Sequence, residues 1–337
     1  MNLKLLGRKN GRSVGKYSIY FVLVVMVVFC SILSPSFLGA DNITNIARQL
    51  AVGTILAYGE MLLIISGMID LSAGSVLALS GVMSVVFFKS TGSLIGSFLV
   101  AIGVAVLCNL LNAIMITTFN TPPFIATLAM LTIARGVALL YTKGQNVLQL
   151  GDYKVFGQGS VGPIPMPIIF LVIITIIVWY ILRNTIFGRS LYSIGGNEEA
   201  TIASGINVSR MKYKAFIING ILVGIAGVLF MSRVNAGLPN GAVGYEMEGL
   251  TAAIVGGTSF TGGVGTTLGT LAGSFIIGCL NNIMNLTGVD SYVQQITKGC
   301  IIALAVIYDI KSKNKKTRKV ILVKEKSNDE PVNKPAN

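Results

Sequence analysis

Long apolar runs separated by short polar segments fill the chain from residue 17 to residue 310. Most of these runs are about 17 to 25 residues long, the length that an α-helix needs to cross a bilayer. The eighth run is too short to span alone, and we expect it to be broken or extended at its glycines. The pattern predicts an all-α integral membrane protein with about ten transmembrane helices, at residues 17–33, 43–66, 71–88, 94–118, 123–141, 164–182, 213–232, 247–257, 266–286 and 292–308.

Composition supports the same class of protein. Of the 337 residues, 53% are hydrophobic and 12% are charged, whereas soluble domains carry about 25% charged residues. The basic start and first apolar run also resemble a secretory signal peptide. That run is longer than a usual signal core, however, and no small-residue cleavage site follows it. We therefore interpret residues 17–33 as the first transmembrane helix of a multi-pass protein of the cell (cytoplasmic) membrane.

Basic residues are concentrated in three polar segments. Five lie in the first 16 residues, five between residues 183 and 214, and nine from Lys311 onwards. Such clusters mark the cytoplasmic ends of membrane helices. Ten crossings place both termini in the cytoplasm, and six crossings return the middle segment to the same side. The net charge of +13 therefore indicates topology. We expect no nucleic-acid partner, because such a surface would carry interleaved aromatic residues on a folded face.

Three regions follow from this organisation. Residues 1–16 form a basic cytoplasmic N-terminal segment, and residues 17–310 form the transmembrane domain. Residues 311–337 are polar and rich in lysine, so they cannot bury enough apolar surface to fold alone. We expect a disordered cytoplasmic tail that lies near the anionic lipid of the bilayer.

Two short blocks recur in the second half of the chain. Residues 112–115 (NAIM) return as residues 281–284 (NNIM), and residues 133–136 (IARG) resemble residues 296–299 (ITKG). The blocks fall in the fourth and fifth runs and then in the ninth and tenth. A repeat of five helices has an odd number of crossings, so its copies insert with opposite orientations. The pattern predicts two inverted five-helix repeats, which are typical of transporters; chance similarity between apolar segments is the alternative.

A polar segment at residues 193–206 separates the sixth run from the seventh. Asn197 is suited to cap a short helix, and Glu198 and Glu199 then lie in its first turn, where negative charge is favourable. Gly205 is placed to end that helix. The segment predicts a helix of about two turns beside the membrane. Its role is either that of a docking element or that of an ordinary solvated loop.

Residues 199–205 (EATIASG) come close to the E-A-A-x3-G loop of ATP-binding-cassette (ABC) import permeases, from which Thr201 departs in the third position. Further blocks are similar to the ribose-type branch of the sugar permeases in that family, and they keep the family's order from about residue 40 to residue 310. These blocks are residues 67–75 (GMIDLSAGS), 123–128 (PFIATL), 195–198 (GGNE) with 204–208 (SGINV), 256–263 (GGTSFTGG) and 280–289 (LNNIMNLTGV).

The resemblance implies a permease subunit for a monosaccharide, ribose or a close relative, and it implies three protein partners. These are a second copy of the permease in a homodimer, a cytoplasmic ABC ATPase subunit and an extracytoplasmic sugar-binding protein. In that family the loop forms a coupling helix that docks in a groove of the ATPase. Carried onto this sequence, the coupling residues are Gly195, Gly196, Asn197, Glu198, Glu199, Ala200 and Gly205.

The chain itself carries no ATP site by its sequence. The glycine-rich residues 256–263 are not followed by the Lys-Ser or Lys-Thr pair that a P-loop requires. We therefore expect ATP and Mg²⁺ on the partner ATPase and no cofactor on this chain, which is not an enzyme. The chain contains no histidine, which excludes histidine zinc sites and histidine-activated nucleophiles.

Polar side chains at membrane depth are candidates for the translocation pathway or a gate. Asp70 either caps the third helix, pairs with Arg135 or Lys298, or contributes to an inner gate. Glu60 either hydrogen-bonds a sugar hydroxyl or pairs with a basic residue. The asparagines within helices serve either the pathway or the linkage of helices. The predicted pathway set is Glu60, Asp70, Ser72, Phe124, Asn112, Asn281 and Asn282.

Two other classes of protein compete with an ABC permease. An ion-gradient-driven secondary transporter or channel for a small polar solute would use Glu60 and Asp70 to carry a proton or Na⁺. A membrane-embedded enzyme is the weakest alternative, because histidine is absent and clustered carboxylates are few. Ribose, other pentoses and hexoses are not distinguished by the pathway residues.

Overall fold

The described part of the chain folds into twelve α-helices and two short 3-10 helices, Pro35–Leu38 and Gly151–Phe156. The structure, a computed structural model, describes residues 7–328, with side-chain surroundings for residues 19–311. The helices are α1 Gly7–Leu33, α2 Ala40–Ile65, α3 Ala73–Thr91, α4 Leu94–Thr117, α5 Pro123–Thr142, α6 Met166–Asn184, α7 Ile186–Gly196, α8 Glu198–Ala203, α9 Val208–Val234, α10 Tyr245–Val255, α11 Thr267–Leu286 and α12 Ser291–Asn328. Four two-residue strands accompany them: β1 Val147–Leu148, β2 Ser160–Val161, β3 Ile164–Pro165 and β4 Ala236–Gly237.

Eight of the described helices are long and apolar enough to cross a membrane. They are α2, α3, α4, α5, α6, α9, α11 and the Ser291–Lys311 part of α12, while the apolar part of α1, Ile19–Leu33, is shorter. Each of the ten predicted apolar runs coincides with a helix, and the eighth run corresponds to the 11-residue α10. The prediction of an all-α integral membrane protein is confirmed. A total of ten crossings stays a prediction.

Helix α2 lies at the centre of the bundle. It packs against α9, α10, α11 and α6, and its residues from Leu50 to Ile65 are almost continuously buried. The spans of α3 and α9 are also mostly buried, whereas no residue in the apolar span of α12 is buried. Polar side chains on α2 beyond Leu50 are therefore enclosed by protein, and α12 lies at the rim.

Helices α4 and α9 approach closely because α9 presents glycines to α4. A Cβ added at Gly220 would lie 2.8 Å from Cα of Val106, and one added at Gly224 would lie 2.8 Å from Cα of Ile102. Small residues allow membrane helices to pack backbone against backbone. This contact fixes the position of α9 beside α4 and α2.

Two extramembrane loops that are distant in sequence are joined by strand pairing. Strand β1 pairs antiparallel with β4, so that Val147 lies opposite Gly237. The loop between α5 and α6 is further held by Tyr153, whose hydroxyl hydrogen-bonds Oγ of Ser84 on α3 at 2.8 Å. The loops that follow α5 and α9 thus form one surface.

The C-terminal helix is longer than the sequence predicted. Helix α12 continues to Asn328, whereas a disordered tail was expected over residues 311–337. The segment contains no glycine or proline between Cys300 and Pro331, so nothing in it stops the helix. Residues 329–337 of the predicted tail and residues 1–6 of the predicted N-terminal segment lie outside the described part of the chain.

Candidate coupling and translocation site

The short helix α8 has the start and the end that the sequence predicted. Oδ1 of Asn197 accepts a hydrogen bond from the backbone N–H of Ala200 at 2.8 Å, and Glu198 and Glu199 occupy the first turn. Gly205 has a φ of +81°, a conformation that glycine adopts without strain. The segment is therefore a short helix whose start is fixed by Asn197 and whose end is fixed by Gly205.

One side of α8 rests on the protein and the other is exposed. Thr201 is buried, and its hydroxyl hydrogen-bonds Oγ of Ser193 at 2.8 Å, which gives the departure from the family's alanine a structural purpose. Glu198 pairs with Lys212 of α9 at 2.7 Å, although such exposed pairs contribute about 1 kcal/mol or less. Glu199 is exposed and Ile202 is 57% exposed. This exposed side is available to a partner.

Helix α7 precedes α8 and packs against it. The sequence analysis did not predict this helix. Oγ1 of Thr185 caps α7 by accepting from the N–H of Gly188 at 3.1 Å, and Leu191 and Ile194 are buried. The hydroxyl of Tyr192 donates to the carbonyl of Gly265 at 2.8 Å, and burial raises the pKa of Tyr192. A capping threonine before amphipathic spacing was the signal for this helix.

Gly195, near the end of α7, lies directly against the end of α2. A Cβ at this position would lie 1.9 Å from the carbonyl oxygen of Ile65 and 2.5 Å from the backbone nitrogen of Gly263. That nitrogen itself donates to the carbonyl of Ile65 at 2.8 Å. The contact has room only for glycine, so α7 packs backbone against backbone with the end of α2.

The loop between α10 and α11 connects this contact to α12. Oδ2 of Asp309 accepts hydrogen bonds from Oγ of Ser259 and from the N–H of Phe260, each at 3.0 Å. The loop therefore touches α7, α2 and α12 together. The glycine-rich residues 256–263 therefore lie where these three helices meet.

The first buried polar cluster, here called the Asp70 cluster, consists of Asp70, Ser72, Asn112, Asn109 and Asn219. Asp70 accepts from the N–H of Ser72 at 2.8 Å and from Nδ2 of Asn219 at 2.7 Å. Nδ2 of Asn112 donates to Oγ of Ser72 at 3.1 Å, and Nδ2 of Asn219 also donates to Oδ1 of Asn109 at 2.9 Å. All five residues are fully buried. The cluster joins the start of α3 to α4 and α9.

Asp70 does not pair with either of the basic residues that the sequence offered. Arg135 donates instead to the carbonyls of Pro239 and Gly241, each at 2.7 Å, and Lys298 pairs with Glu248. Because Ser72 and Asn219 already supply donors to both carboxylate oxygens, Asp70 is satisfied without a cation. The ion-pair interpretation was wrong, and so was the capping one: the carboxylate accepts from the N–H and the hydroxyl of Ser72, the residue before α3, and the start of α3 has no side-chain cap.

Glu60 is enclosed next to this cluster. Its Oε2 accepts from the N–H of Asp70 at 3.4 Å, and its side chain lies against Gly249 of α10. Its Oε1 has no hydrogen-bond partner among the described residues. No ion pair to Glu60 occurs within residues 19–311, so the predicted pairing with a basic residue was wrong, and a role as a sugar ligand stays a prediction.

The second polar cluster, here called the Glu248 cluster, consists of Glu248, Lys298 and Asn281. Glu248 of α10 forms an ion pair with Lys298 of α12 and accepts from Nδ2 of Asn281 of α11 at 3.3 Å. The side chains of Glu248 and Lys298 are 15% and 29% exposed. Sequence reasoning did not assign Glu248 to the site, although opposite charges in the eighth and tenth runs were a usable signal.

The remaining predicted pathway residues lie apart from both clusters. Asn282 exchanges hydrogen bonds with Asn42 of α2 at 2.8 and 3.0 Å, which fits the interpretation of helix linkage. Phe124 is 53% exposed at the start of α5. The structure thus brings Asp70, Ser72 and Asn112 together, places Glu60 beside them, and moves Asn281 to a separate cluster.

Comparison with known proteins decides the family. Residues 42–307 match the family described as "Branched-chain amino acid transport system / permease component". The chain belongs to this family. The permease is accordingly a multi-pass membrane protein and a transport component, and the match spans both clusters and the coupling segment.

Relatives of the permease carry names that specify sugars. It is 40% identical to the ribose import permease protein RbsC of Bacillus subtilis (strain 168) over 292 residues, which are 86% of this chain and 91% of the relative. It is 38% identical to RbsC of Escherichia coli (strain K12), over 86% and 92% of the two chains. The D-allose transport system permease protein AlsC of the same strain is 35% identical over 87% and 91%. No solved structure matches the permease.

Proposed function

We propose that this permease is the membrane-spanning subunit of an ATP-binding-cassette importer that carries ribose or a related monosaccharide inward, powered by a separate ATPase subunit. The observation that supports this most is the exposed, capped helix α8, which is connected through Gly195 to the central helix α2. The sugar is proposed from the names of relatives that are 35% to 40% identical. Those names agree with one another on a monosaccharide.

A topology of ten crossings with cytoplasmic termini fits the packing. Helix α10 is too short to cross the membrane alone, but the loop after it reaches Ile65 at the end of α2. We infer that α10 and this loop together span the membrane once. If the halves are inverted repeats, α3, α4 and α5 correspond to α10, α11 and α12, and α2 corresponds to α9. The contacts α3–α4 and α4–α9 then correspond to α10–α11 and α11–α2, which all occur.

The partners are assigned to separate surfaces. The ATPase, with its ATP and Mg²⁺, docks on the exposed side of α8. The sugar-binding protein docks on the outer surface where β1 and β4 join two loops. A second copy of the permease completes a homodimer, and the unburied apolar span of α12 faces that copy or lipid.

Transport then follows from rigid contacts. Closure of the ATPases shifts α8, and α7 moves with it because Thr201 is bonded to Ser193. The contact of Gly195 with Ile65 transmits the shift to α2, and Asp309 extends it to α12 through the loop between α10 and α11. Helices from both halves change position together, which opens the sugar path to the cytoplasm.

The coupling role is tested by Gly205→Val, which strains a residue that has a φ of +81° and open space around it. Gly92→Val is the matched control, because Gly92 has a φ of +69° and open space at the far end of α3. We expect Gly205→Val to reduce both sugar uptake and sugar-stimulated ATP hydrolysis at least fivefold in reconstituted vesicles. Normal sugar-stimulated hydrolysis in a variant that lacks residues 198–205 would refute the proposal.

One observation favours a second candidate, an ion-gradient-driven transporter. Oε1 of Glu60 is buried without a partner among the described residues, and an intramembrane carboxylate of this kind suits a proton or Na⁺ carrier. The two functions differ in their energy source. Uptake that survives loss of the ATPase but collapses with an uncoupler would favour the second candidate.

A further inference from the structure

A small cavity with polar side chains among an apolar lining lies between α2, α10 and α11. Its volume is about 20 Å³, and polar side chains of Gln49, Thr54, Glu248, Ser274 and Asn281 line it. A space of this size holds one water-sized group. Thr54 lies near the middle of α2, and transporter substrate sites commonly lie near the membrane midplane. The cavity therefore offers several polar groups at a depth where the surrounding helix is almost wholly apolar.

Two buried atoms that line this cavity have no hydrogen-bond partner among the described residues. They are Oγ1 of Thr54, which is fully buried, and Oδ1 of Asn281, which is 4% exposed as a residue. Threonines in helices usually donate to a carbonyl one turn back, as Thr175 and Thr251 do here. Thr54 is an exception, and a buried polar atom without a hydrogen-bond partner is unfavourable.

The charge around the cavity favours a neutral group. The carboxylate of Glu248 is already paired with Lys298, and it also accepts from Nδ2 of Asn281. A cation would find its counter-charge occupied. A hydroxyl both donates and accepts, so it can donate to Oδ1 of Asn281 and accept from the hydroxyl of Thr54.

We propose that this cavity is a subsite that receives one hydroxyl group of the transported sugar. The inference rests on the proposed function and extends it to specific residues, since neither Thr54 nor Gln49 was marked by the sequence. The volume admits one hydroxyl, so the sugar ring stays outside the cavity. Thr54 and Asn281 thereby select a sugar with a hydroxyl at the correct ring position.

The test compares two substitutions at Thr54 in vesicles that contain the permease, its ATPase and its binding protein. Thr54→Val keeps the shape of the side chain and removes the hydroxyl, whereas Thr54→Ser keeps the hydroxyl. Thr127→Val is the control, because Thr127 is fully buried on α5 and bonded within its own helix. Uptake rate, ATP hydrolysis and the amount of permease are measured with ribose and with each singly deoxygenated ribose.

We expect uptake to fall about fivefold to tenfold in Thr54→Val and in Asn281→Leu, with ATP hydrolysis retained, so that fewer sugar molecules enter per ATP. Thr54→Ser and Thr127→Val should stay within twofold of the unmodified protein. One deoxygenated ribose should lose uptake in the unmodified protein and lose no more in Thr54→Val. These results would support the subsite.

Other outcomes distinguish failure of the hydroxyl subsite from failure of the proposed sugar-import function. If the unmodified protein takes up ribose and both Thr54→Val and Asn281→Leu match it, the subsite is refuted and the cavity holds only a water. If Thr54→Ser is as defective as Thr54→Val, the hydroxyl is not responsible and the subsite is also refuted. If the unmodified complex takes up no monosaccharide, the proposed function itself fails.

Discussion

The Asp70 cluster and the Glu248 cluster use related sequence blocks in different ways. In each, an asparagine from one helix donates to the start of the preceding helix: Asn112 to Ser72, and Asn281 to Glu248. The Asp70 cluster is fully buried, whereas the Glu248 cluster is partly exposed and borders the cavity beside Thr54. We propose from this difference that one motif stabilises the fold in the first half and supports transport in the second.

The two clusters also neutralise their carboxylates differently. Asp70 is surrounded by amide and hydroxyl donors, which stabilise a buried acceptor without placing a second charge in the membrane. Glu248 has a cation, Lys298, on another helix. The ion pair of Glu248 and Lys298 can separate when α10 and α12 move. The uncharged amide and hydroxyl donors of the Asp70 cluster instead link α4 and α9 to the start of α3. The Asp70 cluster is therefore suited to a fixed core and the Glu248 cluster to a moving part.

The largest effect is expected from Asp70→Ala. It removes the acceptor for the N–H of Ser72 and the amide of Asn219, and each orphaned donor costs about 1–3 kcal/mol. We expect most of the permease to be lost from membranes and the thermal midpoint of the remainder in detergent to fall. Asp70→Asn keeps one acceptor oxygen and should lose less. Normal amounts of Asp70→Ala protein with abolished uptake would assign this cluster to transport instead.

Gly195→Ala examines whether the coupling segment reaches both clusters through α2. The added methyl group would lie 1.9 Å from the carbonyl oxygen of Ile65, so α7 must shift away from α2. We expect uptake to fall about tenfold while the protein still accumulates. Gly103→Ala on α4, where a Cβ meets open space, is the control. Uptake within twofold of normal would show that this contact does not transmit movement.

Lys298→Met tests the charge balance of the Glu248 cluster. It leaves the carboxylate of Glu248 without its cation, and an unpaired charge is unfavourable at membrane depth. Uptake should fall about fivefold to tenfold. The double variant Glu248→Gln with Lys298→Met removes both charges and should recover part of that loss. A double variant as defective as the sum of the singles would contradict coupling between the two residues.

Local features of the site could be predicted from the sequence. Asn197 and Gly205 affect only the backbone of the few residues next to them. Their roles as the cap and the end of α8 could therefore be predicted from the sequence. The capping role predicted for Asp70 was wrong, because its carboxylate accepts from Ser72, the residue before α3. Its partner Asn219 lies 149 residues away, and no single-sequence pattern connects them. The pairing of Glu248 with Lys298 and the contact of Gly195 with Ile65 likewise depend on packing between distant helices.

The smallest effect is expected at the Asn42–Asn282 pair, which links α2 to α11. Hydrogen bonds between membrane helices contribute about 0.6 kcal/mol on average. Asn42→Leu or Asn282→Leu alone should therefore lower the free energy of unfolding by about 1 kcal/mol. The double variant should lose no more than the sum of the two single losses. Uptake per molecule should stay normal. A large loss of uptake per molecule would place Asn282 in the pathway, as the sequence predicted.

The most direct test of the account compares Asn112→Leu with Asn281→Leu, the same substitution in the two related blocks. The measurement is sugar uptake divided by the amount of permease in reconstituted vesicles. We predict that Asn112→Leu lowers the amount of protein and leaves uptake per molecule within twofold of normal. Asn281→Leu should keep the amount and lower uptake per molecule about fivefold to tenfold. Equal losses of uptake per molecule in both variants, or the reverse pattern, would contradict the division between a structural and a transporting cluster.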